Sequence, residues 1–130
     1  MQERETILVV EDGPSVRRLV CQMLTQNGYS VLEAADGKDA LDICNRHHPS
    51  ISLILTDVVM PGMSGRELAK RLLRAYPHLR FMFMSGYPGE GLPEELQGLN
   101  ITSLQKPFTS IMLIRKVREV LESPWLRSTG

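Results

Sequence analysis

Continuous apolar runs alternate with amphipathic stretches of helical period along the chain, and no other feature constrains the fold as tightly. Thr6-Ile7-Leu8-Val9-Val10 is rich in β-branched residues, as expected of a strand covered on both faces. Pro14 then suits a first helical position, with Val16, Leu19, Val20, Met23 and Leu24 at helical spacing and Asn27-Gly28 as a stop. Ser30 to Ala34 predicts a second strand, and Asp36 caps a short helix carrying Ala40, Leu41 and Cys44 that Pro49 ends. Ile51 to Thr56 predicts a third strand. Ser64-Gly65-Arg66-Glu67 has the form of a capping box and opens a helix with Leu68, Leu72 and Leu73 facing inward. Arg80 to Met84 is the fourth strand, Pro88 to Gly98 holds a weak fourth helix, and Thr102 to Gln105 is a brief fifth strand. Thr109 can cap a fifth helix with Leu113, Ile114, Val117, Val120 and Leu121 on one face.

Strict strand–helix alternation with apolar strands implies an α/β fold: a parallel five-stranded sheet with helices on both faces, a (βα)₅ three-layer sandwich. The strands end near positions 10, 34, 56, 84 and 105, leaving room each time for a right-handed crossover helix. The expected order is 2-1-3-4-5, which puts ligands at the switch point between strands 1 and 3. A length of 130 residues suits one domain, and 42% hydrophobic residues exclude wholesale disorder. Fifteen basic residues balance fifteen acidic ones, which disfavours clamping a nucleic-acid backbone. No apolar stretch reaches the roughly 20 residues of a membrane span. Met1 to Glu5 lacks the apolar region of a signal peptide, and two cysteines make neither a disulfide framework nor a zinc site. The expected compartment is the cytoplasm.

The chemistry gathers at the carboxyl ends of the strands. Strand 1 ends in Glu11-Asp12, strand 3 in Asp57, strand 4 in Ser85-Gly86 and strand 5 in Lys106-Pro107. A parallel sheet brings these ends to one edge. Two like charges about 4 Å apart repel by roughly 4 kcal/mol at an effective dielectric near 20, so three close carboxylates cost on the order of 10 kcal/mol. One lysine offsets part of this, and a hard divalent cation such as Mg²⁺ offsets the rest. Each acid alone could simply cap the helix after its strand, but the whole set with Lys106 points to a cation site. A nucleotide cofactor is disfavoured, because the loop Glu11-Asp12-Gly13-Pro14 is doubly acidic, lacks an N–H at Pro14 and carries no G-x-G-x-x-G. A metal-dependent phosphatase would need an acid two residues beyond Asp57, where Val59 stands.

Val9-Val10-Glu11-Asp12, Asp57-Val58-Val59-Met60-Pro61-Gly62-Met63-Ser64-Gly65, Met84-Ser85-Gly86 and Lys106-Pro107-Phe108 together resemble the receiver domains of two-component response regulators, a flavodoxin-like family. The likeness covers about residues 5 to 122, leaving 123–130 as a tail and no output domain. It implies that Asp57 accepts a phosphoryl group from the phosphohistidine of a histidine kinase or histidine phosphotransfer protein. Asp12 and Asp57 would bind Mg²⁺ (or Mn²⁺) directly, Glu11 through water, and the Val59 carbonyl would complete the protein ligands. Ser85 and Lys106 would hold phosphoryl oxygens, with backbone contacts from Val58 and Gly86. A cis Lys106-Pro107 bond would aim the lysine inward.

The chain departs from the family where a strand-5 aromatic normally switches inward. Ser103 stands there, and Tyr87, two residues after Ser85, is the nearest substitute. The resemblance implies no enzyme activity beyond the domain's own phosphoryl transfer and autodephosphorylation, unless it belongs to a hybrid histidine kinase, whose receivers its wording most resembles. The alternative is an interaction module that keeps the fold without the chemistry. Ile111 and Met112 either add apolar surface to the face formed by helix 4, strand 5 and helix 5, where a downstream protein would dock, or pack against the weak fourth helix. His47, His48 and His78 read as solvated helix-end residues, Cys21 and Cys44 as core thiols, and Trp125 as a tail residue without an assigned role.

Overall fold

The computed structural model describes residues 5–86 and 101–122. Five parallel strands, β1 (Thr6–Val10), β2 (Ser30–Ala34), β3 (Ile51–Asp57), β4 (Phe81–Ser85) and β5 (Ile101–Gln105), lie in the order β2-β1-β3-β4-β5. Four helices are described: α1 (Pro14–Gln26), α2 (Gly37–His47), α3 (Gly65–Ala75) and α4 (Ser110–Glu122), with a short 3₁₀ turn at His48–Ser50. The expected helix at 88–98 lies outside the described residues, as do Tyr87, Trp125 and the tail. The fifth helix of the sequence is therefore α4 here.

The strand period of two sends alternate residues to opposite faces, and each face has its own core. Leu8, Val10, Ile54, Phe81 and Phe83 pack against Ala40 and Cys44 of α2 and Leu68 and Leu72 of α3. Ile7, Val9, Leu53, Leu55, Met82 and Met84 pack against Val20 and Leu24 of α1 and Leu113 and Val117 of α4. Both cysteines are buried within these layers, and burial pushes each thiol up to about 11. No helix among the described residues is long and apolar enough to cross a membrane.

The helix starts follow the caps the sequence provides. Asp36 accepts from the Asp39 N–H at 2.8 Å, Ser64 from the Glu67 N–H at 3.1 Å, and Thr109 from the Met112 N–H at 3.1 Å. The Glu67 carboxylate pairs with Arg71 one turn on, at 2.9 Å, so Ser64 supplies the working half of the predicted capping box. Two expectations need correction. Val16 and Leu19 share the helical spacing of the α1 core residues, yet they are 40% and 52% exposed. His48 is not a plain solvated residue, since its ring stacks on Tyr76 with centroids 4.2 Å apart.

Candidate functional site

Register assembles the site. Val10 pairs with Thr56, so Glu11 leaves β1 beside Asp57 at the end of β3. Asp57 pairs with Met84, which puts Ser85 one step further along β4. Ser85 pairs with Gln105, and the Lys106 N–H donates to the Ser85 carbonyl at 2.7 Å, extending the ladder to the lysine. The Lys106-Pro107 peptide bond is cis, as the family resemblance implied.

The charges meet there. Lys106 Nζ donates to Asp57 Oδ2 at 3.0 Å and to Glu11 Oε1 at 3.1 Å. Glu11 is 3% exposed, and its second oxygen accepts the Gly13 N–H at 3.0 Å. Asp57 is 8% exposed, and its Oδ1 accepts the Val59 N–H at 3.3 Å. Burial raises the Glu11 carboxyl above its ordinary 4.5, against the Gly13 and Lys106 bonds that lower it. Burial alone would lower the Lys106 ammonium, but its bonds to Asp57 and Glu11 prevail and raise it above 10.5. The Lys106 ammonium is therefore held in its charged form at neutral pH.

Glu11, Asp12 and Asp57 each offer a carboxylate oxygen within 4.8 Å of the others, with Asp12 exposed and the other two buried. That donor set consists of hard oxygens on a partly open edge, and it fits a hard divalent cation that retains water. Ser85 is buried, whereas Val59, at 61% exposure, and Gly86 face outward. A Cβ on Gly86 would meet nothing within 4 Å among the described residues. Ser103 lies on β5 with its side chain exposed.

Three supporting contacts were not legible beforehand. The buried Thr56 hydroxyl donates to the Asp57 carbonyl at 3.0 Å. Gly65, at the start of α3, lies against the Asp57 backbone, and its N–H donates to the Val58 carbonyl at 2.9 Å. Arg17 reaches back from α1 to the Glu11 carbonyl at 2.8 Å. The S-x-x-E pattern signalled a cap at Ser64 but not the approach of Gly65. Arg17 carried no signal, because a charged helical residue ordinarily reads as solvated.

Residues 7–118 match the family model described as the response regulator receiver domain. The chain is 36% identical to the sensor kinase CckA of Brucella abortus (strain 2308), over 90% of its own length but only 12% of the kinase. It is 34% identical to sporulation initiation phosphotransferase F of Bacillus subtilis (strain 168), covering 80% of this chain and 83% of that one. Among solved structures, the receiver domain from the hybrid histidine kinase CckA superposes with a TM-score of 0.77 at 36% identity, covering 90% of this chain and 99% of that one.

Proposed function

The chain belongs to the response regulator receiver domain family, and from that membership we propose that Asp57 is the phosphoacceptor of a phosphorelay. An Asp57 carboxylate oxygen attacks phosphorus, the P–N bond of a phosphohistidine breaks, and the freed imidazole nitrogen keeps its electron pair. The observation that carries this reading is the Lys106 ammonium shared between Asp57 and Glu11 at 3.0 and 3.1 Å. It holds the nucleophile at the sheet edge and lies ready to neutralise a phosphoryl oxygen. Positioning and charge neutralisation are most of what a protein contributes to phosphoryl transfer.

Asp12 and Asp57 would hold Mg²⁺ (or Mn²⁺), with Glu11 acting through water and the Val59 carbonyl as a further ligand. The cation would supply neutralisation of phosphoryl oxygens. The engagement of both Glu11 oxygens by Gly13 and Lys106 supports its indirect role. The Ser85 hydroxyl would hold a phosphoryl oxygen, and the Val58 and Gly86 backbones would contact the group. That no described residue comes within 4 Å of a Cβ at Gly86 supports that approach.

The donor would be a histidine kinase or histidine phosphotransfer protein. Exposed Val16 and Leu19 lie with Pro107 and Phe108 around an apolar groove of about 220 Å³ beside Lys106, and that supports docking of a histidine-bearing helix there. Ile111 and Met112, at 71% and 46% exposure, support a separate downstream contact on the α4–β5 face. The test is incubation with Mg²⁺ and a small acyl phosphate, read by intact mass. Addition of one phosphate to wild type and none to Asp57→Asn is expected. No addition to wild type, or undiminished addition to the variant, would favour an interaction module instead.

A further inference from the structure

We propose that Arg17 is a positioning residue for the acidic pair Glu11–Asp12, an inference that rests on the divalent-cation reading above. The guanidinium makes two directed bonds. Nη1 donates to the Glu11 backbone carbonyl at 2.8 Å, and Nε donates to Glu33 Oε1 of β2 at 3.2 Å. The Arg17 side chain is only 20% exposed, so it lies folded back over the β1–α1 turn and does not extend into solvent.

The Glu11 carbonyl belongs to the peptide whose nitrogen is that of Asp12, so its orientation sets where the Asp12 side chain leaves the backbone. On its other side, the Glu11 N–H donates to the Ala34 carbonyl of β2 at 3.1 Å. Glu11 is thus held through its amide by the sheet and through its carbonyl by Arg17. The next residues are tied as well: the Gly13 N–H meets Glu11 Oε2 at 3.0 Å, and the Gly13 carbonyl accepts the Arg17 N–H at 2.9 Å. Arg17 therefore grips the turn twice, through its backbone and through its side chain. Asp12 is exposed, so packing does little to fix its aim and the backbone of this turn carries it.

Electrostatics alone argue in the opposite direction, which makes the inference testable by sign. A guanidinium beside an acidic cation site repels the cation, so an Arg17 that acted only as a nearby charge would weaken Mg²⁺ binding. Its removal would then tighten binding. Removing a group that orients ligands typically weakens metal affinity by about 10–100-fold.

The experiment titrates Mg²⁺ calorimetrically into the full chain as wild type, Arg17→Met and Arg17→Lys, with thermal unfolding of each in EDTA as the check on folding. Arg17→Met is expected to bind about 10-fold more weakly despite losing a like charge, while still unfolding cooperatively without metal. Arg17→Lys, which keeps one donor but not the fork, is expected to fall between them. Equal or tighter binding by Arg17→Met overturns the inference. If Arg17→Met does not fold, the lysine variant decides: wild-type affinity overturns the inference and weakened affinity upholds it. A wild-type chain that binds no Mg²⁺ overturns the cation reading itself, and this inference with it, an outcome distinct from wild-type binding that Arg17→Met leaves unchanged.

Discussion

Replacing Gly65 with alanine tests whether the start of α3 sets the position of Asp57. A Cβ at Gly65 would lie 2.1 Å from the Asp57 carbonyl oxygen, 3.0 Å from its carbonyl carbon and 3.1 Å from the Val58 Cα. The closest of these falls about 1.3 Å short of the 3.4 Å at which ordinary contact begins. Both partners are backbone, one in a central strand and one in a helix, so no rotamer change relieves the clash. Overpacking of this kind costs about 1–3 kcal/mol, and the absence of a flexible neighbour puts Gly65→Ala at the upper end. Helix propensity alone predicts the reverse sign, since alanine is favoured over glycine in helices by up to about 1 kcal/mol. Relief must come from α3 and the β3 end moving apart, which shifts the Asp57 carboxylate relative to Lys106. A displacement near 1 Å can cost about 100-fold in rate. Urea unfolding and the rate of phosphate incorporation from a small acyl phosphate measure the two effects. A Gly65→Ala protein as stable as wild type and phosphorylated at the same rate would refute the argument.

Three further outcomes are expected. Mg²⁺ raises the melting temperature of wild type by binding the native state, whereas Asp12→Ala loses that rise yet melts no lower than wild type in EDTA, because Asp12 is exposed and its loss relieves repulsion. Lys106→Met leaves Glu11 and Asp57 without their shared ammonium and lowers metal-free stability at pH 7 by about 1–3 kcal/mol. Since the carboxylates raise the Lys106 ammonium above 10.5 despite its burial, its contribution is complete below that pH. The gap between wild type and Lys106→Met in urea unfolding therefore stays constant from mildly alkaline pH to about pH 10, closes as pH rises further, and shrinks in acid as the carboxylates protonate. Val59, exposed beside Asp57, cannot orient a water by hydrogen bonding, so Val59→Asn accelerates loss of phosphate from the phosphorylated chain in excess Mg²⁺.

Strand order and the edge that carries the site were legible because β1, β3 and β4 are nearly continuous apolar runs and the charged or polar residues of the site follow where strands end. Asp57 and Lys106 stood out as charges terminating such runs, and parallel pairing did the rest. Periodicity was less informative on α1. Its apolar positions form one stripe in projection, but the sheet buries Val20, Cys21 and Leu24 and partly covers Met23, so Val16 and Leu19 remain outside. Arg17 and Gly65 escaped notice for a different reason. Their roles depend on the path of a turn and on backbone separations, which neither composition nor spacing encodes. Glu67 matched the capping box, yet a cation one turn away captured its carboxylate.

The ammonium that unites the acids comes from far along the chain, 95 residues after Glu11 and 49 after Asp57. Chains emerge amino-terminus first at about 5–20 residues per second, so the acids precede their counter-ion by seconds during synthesis. A nascent chain that has made β1 and β3 but not β5 holds unneutralised carboxylates where two strand ends should meet. The last strand to be made supplies the charge that lets the first and third settle together. The contacts that tie Asp57 and Glu11 together can thus form only after β5 and Lys106 have been made.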